Sequence, residues 1–136
     1  MKNLILFFAF VLTINLQSCL KDDGNNPEYV RMEITDVEIP DTFRLGATYE
    51  FRIHYDRPDG CTHLQGFDSY PVAQTTRQIV AIGVRYGDEP CPDVVKEETG
   101  QLLFQVIYSD TYTFRFWQGE DDEGNSIYLE KKVPVR

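Results

Sequence analysis

After residue 27 one signal dominates the chain. Apolar residues recur at every second position in short runs, and no segment sustains the 3.6-residue period of an amphipathic helix. Side chains of a strand alternate between two faces, so this pattern commits the body to half-buried strands. Val30, Met32 and Ile34 alternate with charged neighbours. The phase slips at Thr35-Asp36 and resumes at Val37 and Ile39, as a bulge allows. Residues 49–55 alternate without a break, and Arg57-Pro58-Asp59-Gly60 ends them with turn chemistry. Residues 64–70 read as a weaker strand. Residues 78–86 read as a strong one, with Val80, Ile82, Val84 and Tyr86 on one face and Ile79 and Ala81 on the other. Val94-Val95 is expected to form a short strand before Thr99-Gly100. Leu102, Phe104 and Val106 alternate next, then Tyr112, Phe114 and Phe116. Residues 121–125 make the final turn. Ile127, Leu129, Val133 and Val135 close the chain, with Pro134 marking an edge strand because it cannot donate to a ladder.

Short strands at this spacing predict an all-β protein, a single antiparallel sandwich of about seven or eight strands over residues 29–136. The length of 136 residues, with 42% hydrophobic and 26% charged residues, suits one globular domain. The formal charge of −9 argues against a nucleic-acid partner, because phosphate binding needs a surplus of lysine and arginine.

The N-terminus carries an address. Met1-Lys2-Asn3 is a short positive start, and residues 4–14 (LILFFAFVLTI) are apolar all round apart from Thr13. A helix of that length rises about 16 Å, roughly half the hydrocarbon core, so residues 1–18 read as a secretory signal and not a membrane span. A buried core helix would need an amphipathic pattern that the run lacks. Leu16-Gln17-Ser18-Cys19 resembles the lipobox of bacterial lipoproteins, in the relaxed form familiar in Bacteroidota. The resemblance implies that Cys19 becomes the first mature residue and carries diacylglycerol through its sulfur. The alternative is ordinary cleavage near Ser18 with Cys19 left as a thiol. Lys21-Asp22-Asp23 resembles the signal that sends such lipoproteins to the outer face of the outer membrane; the plainer reading is a solvated tether. Residues 19–28 would then be a lipidated, flexible linker. Loss of Lys2 with the signal leaves 12 basic and 22 acidic residues, a net charge of −10.

Ser109-Asp110-Thr111-Tyr112-Thr113-Phe114 resembles the Gly-Thr-Tyr-Thr run of bacterial Ig-like and PKD-like modules. In those modules the tyrosine opens the penultimate strand and its hydroxyl bonds back to the preceding corner. Asp110 replaces the usual glycine. The chain as a whole is similar to small Bacteroidota surface lipoproteins with an Ig-like sandwich.

Candidate chemistry is sparse. Setting Cys19 aside leaves Cys61 and Cys91, an even pair that suggests a disulfide in an exported chain. Free thiols and a metal site with His63 and His54 are the alternatives, although no zinc-type spacing is present. His54 alternates with the apolar set of its strand and is expected on the polar face. Gly119 to Gly124, with Glu130 at the twelfth position, partly fits a calcium loop. Asp121, Asp122 and Glu123 are therefore a weak calcium candidate, against the reading of a hairpin turn in which Gly124-Asn125 supplies positive φ. No nucleophile with its base and orienter is visible, so an enzyme and a cofactor are not expected. Trp117 follows Phe116 and should point outward if Tyr112, Phe114 and Phe116 point inward. It is the candidate ligand contact, able to stack on a sugar ring, to sit in a protein interface, or to pack on a neighbouring loop. The expectation is a non-enzymatic lipoprotein anchored in the outer membrane and facing the exterior. It would serve as a protein-interaction or structural accessory, or alternatively as a glycan- or calcium-binding module.

Overall fold

A computed structural model describes residues 26–87 and 90–136. The signal segment, Cys19 and Lys21-Asp22-Asp23 lie outside the described residues. Eight strands are formed: β1 Glu28–Met32, β2 Ile34–Glu38, β3 Thr48–Arg57, β4 His63–Pro71, β5 Thr76–Arg85, β6 Lys96–Gln105, β7 Tyr112–Glu120 and β8 Ser126–Val133. They make two sheets, one of β1, β4, β5, β7 and β8 and one of β2, β3 and β6, that face each other as a sandwich.

β5 is the hub of the larger sheet. β4 runs antiparallel along one side of it, from His63 opposite Val84 to Pro71 opposite Arg77. The other side is shared. β1 takes its C-terminal half, with Met32 opposite Ala81, and β7 takes its N-terminal half in parallel, with Phe116 opposite Ile79. β8 completes the sheet against β7 as an edge, but it ends at Val133, and Pro134 and Val135, expected within it, lie beyond it, with Val135 bridging Phe43.

The run from Val30 to Ile39 is two strands, not one. The chain leaves the larger sheet after Met32 and enters the smaller one at Ile34, with exposed Glu33 as the pivot. Met32 and Ile34 are both buried, since a residue that faces the core does so from either layer. The bulge expected at Thr35-Asp36 is present: the register of β2 on β3 shifts between Ile34 and Asp36. Val94-Val95 forms no strand. The pair follows Pro90 and Pro92, turns back through a bond from the Val94 amide to the Pro92 carbonyl, and is exposed at 59% and 64%. β6 begins only at Lys96.

The core is aromatic. Phe51 and Phe104 of the small sheet meet Phe114 of the large one edge-on, with ring centroids 5.1 and 5.0 Å away. Each such pair contributes roughly 0.5–1.5 kcal/mol beyond the burial of its area. Phe43, which lies in no alternating run, is fully buried among them, 4.8 Å from the Tyr49 ring. Its amide donates to the Pro134 carbonyl, and its carbonyl accepts from the Arg136 amide. The loop after β2 and the chain's last residues thereby close one end of the sandwich. Gly100 on β6 lets the sheets approach: a Cβ there would come within 2.7 Å of Phe67 and 2.8 Å of Leu64, both from β4.

Tyr112 opens the penultimate strand fully buried, and its hydroxyl accepts from the amides of Ile107 at 3.1 Å and Tyr108 at 3.0 Å. The corner before β7 is thus satisfied by a side chain, as the Thr-Tyr-Thr run implied.

Candidate functional site

Cys61 and Cys91 are joined as a disulfide, with Cα atoms 5.6 Å apart. The turn before Cys61 is held by Asp59. Its Oδ1 accepts from the amides of Cys61 and Thr62 at 2.8 and 2.7 Å, and the Thr62 hydroxyl donates to both carboxylate oxygens at 2.9 and 3.0 Å. Burial pushes the Asp59 carboxyl up, but these donors and the Arg85 guanidinium outweigh it and hold the group below the usual carboxylate range. Among the described residues Asp59, Cys61 and Cys91 are the one group whose donor atoms fall within 4.8 Å of one another. The two sulfurs are bonded to each other, so the metal alternative has no thiolates to use.

His54 lies on the outer face of the small sheet, as its alternation predicts. Its Nε2 is 3.1 Å from Glu38 Oε1 and its Nδ1 is 3.0 Å from Thr99 Oγ1. This hydroxyl–imidazole–carboxylate row joins three adjacent strands and is a cross-strand ladder on an outer face.

The Asp121–Glu123 turn does not gather its carboxylates. Asp121 Oδ1 accepts from the amides of Glu123 at 2.9 Å and Asn125 at 2.8 Å, and the Asn125 side chain donates to Oδ2 at 3.1 Å. These bonds, the Asn125 amide first, hold the Asp121 carboxyl below its ordinary value. The carboxylates of Asp121, Asp122 and Glu123 are not among the described groups of three whose donor atoms lie within 4.8 Å of one another. Gly124 alone supplies positive φ, at +83°; Asn125 does not.

Trp117 takes the outer face that its alternation predicts, but it is covered there. Tyr112, Phe114 and Phe116 are in the core, and the indole lies on the opposite face of β7, yet it is only 6% exposed. The Arg31 guanidinium carbon lies over the ring, 4.6 Å from its centroid, and the indole nitrogen donates to Ser126 Oγ at 3.3 Å. The cover comes from β1, which shares one side of β5 with β7. Strict alternation predicts which face a residue takes but not what else stands on that face, so no open stacking platform results.

Beside this pair the sheet change opens a cleft of about 240 Å³. Its polar wall is Arg31, Glu33 and Asp56; its apolar wall is Met32, Pro58, Val95 and the edge of Trp117. A shallower depression of about 410 Å³ shares Arg31, Glu33 and Trp117 and reaches Glu120. Three contacts build the cleft. The Asp56 amide donates to the Glu33 carbonyl at 2.9 Å, the Gln118 side chain donates to the Ile34 carbonyl at 3.2 Å, and Arg31 pairs with Glu120 at 2.7 Å. Gly119 makes room for the Glu33 carboxylate: φ is +110° there, and a Cβ would stand 2.6 Å from Glu33 Oε1. The signals that could have found this cleft are the isolated Glu33 between two buried residues and the glycine two residues after the tryptophan.

On the far side of the small sheet β6 pairs only with β3, so its other edge carries no strand among the described residues. Residues 99–109 hold no charge, and Leu103 and Ile107 are exposed at 70% and 56%.

No family model, no curated protein and no solved structure matches this chain.

Proposed function

We propose that this chain is a surface lipoprotein, anchored in the outer membrane through Cys19, whose Ig-like sandwich is a non-catalytic protein-interaction module. The observation that carries the reading is the open side of β6. The ten-residue edge strand carries its charges, Lys96, Glu97 and Glu98, only at its start; from Thr99 to Gln105 it is uncharged, with an exposed leucine and none of the prolines or bulges that usually blunt such edges. An extended segment of a partner can add to it as a further strand, with main-chain bonds giving affinity and Leu103 and Gln101 giving register. The corner bonds of Tyr112 support the Ig-like reading. The lipobox-like Leu16-Gln17-Ser18-Cys19 supports the anchor.

Two measurements test it. A photo-crosslinking residue at position 103 in living cells should give a discrete adduct that one at Ile127, on the opposite edge strand, does not. Absence of an adduct from β6 overturns the interaction reading. Cys19→Ala should release the chain from the membrane fraction and remove fatty-acid labelling; a variant that stays labelled overturns the anchor.

A further inference from the structure

The cleft at the sheet change has a composition that selects its ligand. Arg31 contributes one positive charge and Glu33, Asp56 and Glu120 three negative ones. Arg31 is taken up by Glu120 at 2.7 Å and by the indole face. The Glu33 and Asp56 side chains make no hydrogen bond or ion pair with the described residues. Two carboxylate residues without a partner among the described residues therefore line the space, and an anion is disfavoured there.

Three cationic or neutral classes remain. A bare divalent cation needs about six converging oxygens, whereas Glu33 and Asp56 join no group of three donors within 4.8 Å and much of the wall is Met32, Pro58 and Val95. A sugar needs an open aromatic face, and Arg31 covers that of Trp117. An organic cation uses both walls: its alkyl part lies along the apolar side while its ammonium head meets the carboxylates. The volume, about 240 Å³, is below that of drug-sized sites and suits a short alkyl chain.

We propose that the cleft between Glu33, Asp56 and Trp117 binds a primary ammonium group on a short alkyl chain, either a lysine side chain of another protein or a free amine. Gly119, with no side chain, leaves room for the Glu33 carboxylate beside the cleft. This inference does not rest on the open edge of β6.

Trp117 is the chain's one tryptophan, so its emission reports the cleft directly. The purified full chain is titrated with n-pentylamine, with 1-pentanol and with pentanoate. Saturable change is expected with the amine and not with the alcohol or the acid. Glu33→Gln together with Asp56→Asn should weaken amine binding at least about tenfold. Glu50→Gln, on the outer face of the small sheet, should leave it unchanged. Glu33→Gln alone, at an exposed position, serves as the second variant and should weaken binding in the same direction. A response shared by amine and alcohol, no saturation, or full affinity in both carboxylate variants overturns the proposal. Lysine capped at both ends is the second arm: tighter binding than pentylamine assigns a partner's side chain, and weaker binding assigns a free amine.

Discussion

The guanidinium of Arg31 lies over the indole of Trp117, 4.6 Å from guanidinium carbon to ring centroid, and covers the outward-facing residue of β7. The same arginine pairs with Glu120, but that pair is half-exposed on both sides, so it is worth little. Arg31→Ala should therefore cost about 0.5–2 kcal/mol, mostly through the lost stacking, and shift Trp117 emission to the red. Glu120→Gln should cost less than about 0.5 kcal/mol. Chemical unfolding followed by fluorescence measures both, and equal losses would show that the ion pair, not the ring, holds the arginine.

Tyr112→Phe leaves the core volume nearly unchanged and strands the amides of Ile107 and Tyr108. The expected loss is about 1–3 kcal/mol. It should appear in urea as a lower midpoint with an unaltered slope. An unchanged midpoint would mean that water satisfies the corner equally well.

The Cys61–Cys91 bond spans a sequence separation of 30 and ties the β3–β4 turn to the segment before β6. Closure of such a loop stabilises by about 3–4 kcal/mol on chain-entropy grounds. Cys61→Ala with Cys91→Ala should lose that amount, and reduction of the parent should lose the same. Alkylation of both thiols in the unreduced native protein would contradict the bond.

Asp59 predicts the acid limb of stability. Burial raises its carboxyl pKa, but the Cys61 amide, the Thr62 hydroxyl and amide, and Arg85 together bring it below the unfolded value. A depressed folded pKa gives stability that is present above the unfolded value, about 3.9, and is lost as pH falls through the folded one. Stability should thus decline below about pH 4, and Asp59→Asn should flatten that limb while lowering stability at neutral pH. Unfolding midpoints from neutral pH downward check the sign; an unchanged slope in the variant would assign the acid sensitivity elsewhere.

Gly100→Ala should destabilise by about 1–3 kcal/mol, because the new methyl overlaps Phe67 and Leu64 where β4 and β6 meet. Thermal unfolding measures it. A neutral result would show that the Phe67 ring and the Leu64 methyl can give way.

Alternation in the sequence was enough to identify most of the strands, the bulge at Thr35-Asp36, the terminal edge strand and the corner tyrosine. Each of these is a local matter: a two-residue period, a missing amide hydrogen or a hydroxyl four and five residues from its partners reads along the chain. The disulfide was legible as a parity of cysteines. Tertiary structure alone decided the rest, because it depends on which strands become neighbours. Met32 and Ile34 keep one phase although they hang from opposite sheets, so the sheet change at Glu33 leaves no mark on the pattern. Phe43 sits in no alternating run and is buried because the chain's end folds back over it. Trp117 took the outer face its period dictates, but β1 shares one side of β5 with β7 and brings Arg31 across the ring. The cleft arises from that same adjacency, since Glu33, Asp56 and Trp117 come from three parts of the chain that only packing brings together.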